Sequence, residues 1–105
     1  IYRFELPVLS SQTSTDVLFI DTLTIEGGHP DLADLAYDPS SGLLLAMFDV
    51  IDRLKVLEKD GALRKQWTVP GNQQEAIIYV GNKLFVGDDS TGTISLYTPF
   101  ESLTT

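Results

Sequence analysis

Short apolar or alternating runs recur along the chain, each closed by turn-forming residues, and no helical period persists over three turns. The runs predict strands at Tyr2–Leu6, Val17–Ile25, Leu32–Tyr37, Leu43–Phe48, Arg53–Leu57, Leu63–Val69, Glu75–Val80, Lys83–Gly87 and Thr93–Tyr97. Asp38-Pro-Ser-Ser-Gly42, Lys59-Asp-Gly61, Pro70-Gly-Asn72, Gly81-Asn82 and Asp88-Asp-Ser-Thr-Gly92 stand between them. Asp60-Gly61 and Gly81-Asn82 supply the positive backbone angles of tight hairpins. Alternation in Arg53-Leu-Lys-Val-Leu57 and Thr93-Ile-Ser-Leu-Tyr97 predicts strands with one wet face. Leu43-Leu-Leu-Ala-Met-Phe48 is apolar throughout, as a strand buried on both faces should be. Nine short strands joined by hairpins read as an all-β meander.

The pattern repeats. Leu44-Leu-Ala-Met-Phe-Asp49 aligns with Leu84-Phe-Val-Gly-Asp-Asp89 at an offset of forty, and Arg53–Glu58 with Thr93–Thr98 at the same offset. Asp34-Leu-Ala-Tyr37 aligns with Glu75-Ala-Ile-Ile78 at forty-one. A period near forty residues carrying four strands is the blade period of a β-propeller. With strands lettered a to d from the axis outward, 32–69 make one complete blade and 75–98 strands a to c of the next. Residues 1–25 read as the outer strands of a preceding blade. About two blades cannot close a ring, so the expected partners are further blades, from the same parent chain or from identical chains, three copies giving a ring of six. The start at Ile1, without a methionine, reads as a chain trimmed or cut from something longer.

Leu35-Ala-Tyr-Asp-Pro39, Ser41-Gly-Leu-Leu44, Asp49-x-x-Asp-Arg-Leu54, Asp60-Gly61 and Gln74-Glu-Ala-Ile77 together give residues 32–100 a likeness to a known family. The stretch resembles the SdiA-regulated family of bacterial propeller proteins, which share several of these motifs with NHL and lactonase-type propellers. The resemblance implies a periplasmic or cell-surface protein of the export pathway, calcium binding, and no well-established catalytic activity. Where the family has Glu-Gly at the start of the inner strand, this chain has Asp34-Leu35 and Glu75-Ala76.

Composition changes the picture mainly through charge. Fifteen acidic residues against seven basic ones give a net charge of −8, which disfavours phosphate backbones and anionic membrane surfaces, so no nucleic-acid partner is expected. No apolar run is long enough to span a bilayer, so no membrane insertion is expected. Five basic residues (Arg53, Lys55, Lys59, Arg64, Lys65) fall together and read as a solvated outer strand pair. The absence of cysteine removes disulfides and thiolate chemistry.

Nucleophilic catalysis finds no motif: there is no Gly-x-Ser-x-Gly elbow, His29 is the single histidine, and Asp89-Ser-Thr-Gly92 reads as a hairpin turn. Trp67 reads as packing between neighbouring blades. In a propeller the d–a and b–c connections share one face, which here collects Glu26, His29, Asp31, Asp34, Asp49, Asp52, Glu75, Asp88 and Asp89. Clustered carboxylate oxygens suit Ca²⁺, which relieves their mutual repulsion. Asp34, Glu75, Asp49 and Asp89 are the expected metal ligands, the first two as equivalent positions in adjacent blades. Two functions follow: a non-catalytic exported binding or scaffold propeller that takes calcium, or a metal-dependent hydrolase of the lactonase type with Glu75 as a ligand.

Overall fold

The computed structural model describes residues 1–4, 19–27, 30–98 and 100. Among these residues stand nine antiparallel strands: β1 (Tyr2–Phe4), β2 (Phe19–Thr22), β3 (Leu32–Asp38), β4 (Leu43–Phe48), β5 (Arg53–Leu57), β6 (Leu63–Thr68), β7 (Gln74–Val80), β8 (Lys83–Asp88) and β9 (Thr93–Tyr97). They form sheets β1-β2, β3-β4-β5-β6 and β7-β8-β9, each a meander of sequential neighbours. This is the all-β, partial propeller expected from the repeat, with one four-stranded blade followed by the three inner strands of another.

Local chemistry explains the meander. Gly81 and Asn82 both have positive φ (49° and 65°), so β7 and β8 are joined by a two-residue turn whose twist matches the strands. Asp38 and Asp88 open five-residue turns of one design. In each, the serine two residues on gives its backbone N–H and its hydroxyl to the aspartate Oδ1, and the glycine four residues on gives its N–H to the aspartate carbonyl. Asp89-Ser-Thr-Gly92 is therefore part of a hairpin, as its sequence suggested.

The strand Leu43–Phe48 is buried on both faces, with only Leu44 half-buried. Leu43, Leu45 and Met47 join Leu54 and Val56 of β5 in a core closed by Ile77, Leu84 and Val86 of the next blade. Ala46 and Phe48 face the other way with Leu57, under Ile25, Ile51 and Leu63. Trp67 packs between blades, its ring centroid 5.0 Å from that of Phe100, which also meets Tyr79 at 6.1 Å.

Three expectations are corrected. β5 has no wet face beyond Arg53: Lys55 is 2% exposed, its Nζ lying 5.1 Å from the Phe48 ring centroid and 3.4 Å from the Glu26 carbonyl oxygen. The segment after β2 covers that flank, so the lysine stem is buried and only its head finds polar company. Conversely, β9 is wet on both faces: Thr93 to Leu96 are all exposed, and Tyr97 alone is half-buried, against the core. Finally, Glu26 does not join the loop end of the blade. Its N–H donates to the Gly61 carbonyl (2.9 Å) and its carboxylate accepts from the Leu63 N–H, which fixes it at the c–d hairpin instead. β1 and β2 pair as expected, with Arg3 opposite Asp21 and the two side chains ion-paired.

Candidate functional site

The end of the blades opposite the a–b and c–d hairpins carries the starts of β3 and β7, the b–c turn 49–52 and the d–a connection 69–73. Its frame is made by polar groups that tie one blade to the next. Asp34 spends both carboxylate oxygens on backbone: Oδ1 accepts from its neighbour Leu35 N (2.8 Å) and Oδ2 from Ile77 N (2.7 Å) across the blade boundary. Asp52, held at φ 53°, accepts from Val69 N through its carbonyl (2.8 Å) and from Gln74 Nε2 through Oδ1 (3.0 Å).

Gln74 is the centre of this junction. It is fully buried, and Nε2 also donates to the Val69 carbonyl (3.0 Å). Its Oε1 is the one buried side-chain polar atom without a partner among the described residues. The backbone passes so close that a Cβ on Gly71 would lie 2.5 Å from Asp88 Oδ2 and 3.0 Å from Gln74 Nε2, at a φ of 134° that L side chains rarely adopt. Asp88 in turn accepts from Asn72 N (3.1 Å), and Asp89 N donates to the Gln73 carbonyl (2.9 Å). The Ser90 hydroxyl, then the backbone amides of Asn72, Ser90 and Gln73, hold the Asp88 carboxyl below the usual carboxylate range. Ser41 and Ser40 do the same for Asp38 in the matching turn.

Of the four expected metal ligands, Asp49 and Glu75 share one depression and Asp34 and Asp89 do not join them. Asp49 and Glu75, with Asp31, line an open depression of about 440 Å³ floored by Leu32, Ala33 and Val50. Asp34 is turned into the blade junction, and Asp89 sits on the neighbouring turn. Among the described residues, no three carboxylate or imidazole groups approach closely enough to enclose a metal ion. His29 lies outside the described residues.

Asp34 and Glu75 are not equivalent positions. Asp34 stands opposite Met47 and Ala76 opposite Gly87, so the true counterpart of Asp34 is Ala76 at an offset of forty-two. Glu75 is the extra residue of a bulge between Gln74 and Ala76, matching Ala33 in the bulge of β3. Sequence matching paired two carboxylates; the a–b turns differ by two residues, not one, and that sets the register.

Gln74 and Gly71 stand in the sequence as a motif residue and a turn residue, with no sign of their place at the junction. The nearest to a signal is a polar pair, Gln74-Glu75, opening a strand apolar from Ala76 on, two positions after a Pro-Gly-Asn turn. No curated protein and no solved structure matches the chain. The SdiA-regulated family model matches residues 10–99, the span that holds the four-stranded blade, the junction around Gln74 and the strands beyond it, and the chain belongs to that family.

Proposed function

We propose that the chain is a non-catalytic binding or scaffold segment of an exported propeller, working at the periplasmic side or the cell surface. The observation that carries this reading is the use made of the carboxylates. Asp34, Asp52 and Asp88, the acidic groups best placed for chemistry, hold backbone amides and the Gln74 side chain. Groups so engaged build a rigid frame and are not poised for proton transfer or nucleophilic attack. The carboxylates left over, on Asp31, Asp49 and Glu75, face an open depression, a surface suited to contact and not to water-excluded catalysis.

Calcium fits this chain only in part. Asp49 and Glu75 offer hard oxygen donors at one depression, while six to eight oxygens are the usual complement. Ca²⁺ is therefore a ligand of the completed arc, with the remaining donors supplied by other blades, backbone carbonyls and water. The open flank of the last blade takes a further blade.

A metal-dependent hydrolase of the lactonase type is the second reading, favoured by Glu75 and Asp49 sharing that depression. Titration calorimetry with Ca²⁺, alongside assays on lactone and phosphate-ester substrates with and without the ion, separates the two. Calcium binding without turnover is expected. Calcium-dependent turnover lost in Glu75→Gln would overturn the first reading in favour of the second.

A further inference from the structure

Lys55 is the only buried cation among the described residues, and it forms no ion pair there. Its Nζ has one acceptor, the Glu26 carbonyl oxygen at 3.4 Å, and the face of the Phe48 ring, its centroid 5.1 Å away. The Glu26 carboxylate is turned aside to the Leu63 amide. Taking an ammonium out of water without an anion is costly. A long bond to a neutral carbonyl and one ring face offset that cost only in part.

What buries the amine is a strap, residues 23–27, which follows β2 and crosses the blade. It passes directly over Lys55: a Cβ on Gly27 would lie 3.3 Å from Nζ. Ile25 packs on Ala46, Phe48 and Leu57. The Glu26 N–H donates to the Gly61 carbonyl (2.9 Å), and a Cβ on Gly61 would collide with the Thr24 carbonyl. These anchors are few. Thr24, Glu26 and Gly27 are exposed, and Ile25 is only half-buried. Beneath the strap, β4, β5 and β6 keep their own ladder, and Leu45, Met47, Leu54 and Val56 face the other core. The sheet therefore stands without its cover.

From these observations we infer that residues 23–27 are a latch that opens as a unit while the blade beneath stays folded, and that the buried charge of Lys55 sets how readily it opens. The Ile25 contact and the two Glu26 bonds favour the closed form. The desolvated ammonium favours the open one, which returns it to water and bares Phe48 and Leu57 beside it. Opposed contributions of this kind place a segment at the low end of local stability, where closed and open forms exchange within the native state. An apolar side chain of the same length at position 55 would hold the strap down; the lysine makes it movable. Neither calcium nor the acidic depression takes part, so the latch stands or falls apart from the functional reading.

Native-state hydrogen exchange of the full chain, read by NMR, tests the latch. The Glu26 and Leu63 amides, both bonded across the strap contact, should exchange at least about a hundredfold faster than the amides of β4. Lys55→Met, which keeps the length of the stem and removes the charge, should slow both amides about tenfold relative to wild type. That is the reverse of what losing a merely structural side chain does. A second measurement needs no variant. An amine-reactive ester should modify Lys55 far more slowly than the exposed Lys59 and Lys83, yet in chains that keep the folded circular dichroism spectrum. Strap and β4 amides exchanging at one common rate would overturn the inference, since the strap would then open only with the whole fold. So would Lys55→Met leaving the Glu26 and Leu63 amides unchanged or faster, or a Lys55 that is modified only in unfolded chains.

Discussion

Replacing Asp34 with alanine is the sharpest perturbation of the blade junction. Its Oδ2 accepts the Ile77 amide from the neighbouring blade at 2.7 Å, and Ile77 is 5% exposed. Without the carboxylate that N–H is left in a largely dry boundary. A hydrogen bond to a charged acceptor contributes about 1.5–3 kcal/mol, and a buried unsatisfied donor costs about 1–3 kcal/mol. The Leu35 amide, bonded to Oδ1, lies at an exposed residue and is resolvated at little cost. Asp34→Ala should therefore destabilise the fold by about 2–3 kcal/mol, which for a domain of this size lowers the melting temperature by roughly 10–15 °C. Glu75→Ala, at an exposed bulge residue, should stay within about 0.5 kcal/mol of wild type. Urea unfolding followed by circular dichroism measures both. Equal losses in the two variants, abolished by chelator, would refute the junction role of Asp34 and restore the pairing of Asp34 with Glu75 as metal ligands.

Other expectations follow from the same junction. Gly71→Ala should cost more than about 2 kcal/mol, because its Cβ would meet Asp88 Oδ2 at 2.5 Å with φ at 134°; a melting temperature near that of wild type would show the connection to be slack. Asp38 and Asp88 have folded-state pKa values below their ordinary ones, so the stability they contribute is present at neutral pH and is lost as pH falls below about 4. Asp88→Asn should accordingly flatten the acid limb of a urea-midpoint profile, and an unchanged limb would remove Asp88 as a cause. Phe100→Ala, which removes a half-buried ring from Trp67 and Tyr79, should cost about 1–2 kcal/mol by the same unfolding assay.

Much of the architecture was legible because it is encoded locally. The unbroken apolar run of β4 announces burial on both faces, Gly81-Asn82 can hardly make anything but a tight turn, and the forty-residue recurrence needs no distant information. The errors share a cause. Lys55 alternates with apolar neighbours as a wet residue should, yet its exposure is decided by a segment near Ile25 that the strand itself cannot signal. Asp34 and Glu75 match as residue types, but the pleat that sets a side chain's direction is counted from the turn, where four residues in one blade face two in the next. Gln74 looks like any polar residue near a turn; its importance arises only when Asp52, Val69 and Gly71 are brought around it.

β3–β6 and β7–β9 are consecutive blades joined along their inner strands. β7 is the inner edge of its sheet, and the Ile77 amide bonds across the blade boundary to Asp34. Hydrogen exchange of the Ile77 amide, read by NMR, reports that junction directly. The expected result is strong protection in the wild type and its loss in Asp34→Ala under conditions where β4 amides remain protected. An Ile77 amide that exchanges in the folded wild type as fast as in a free peptide would contradict the blade junction.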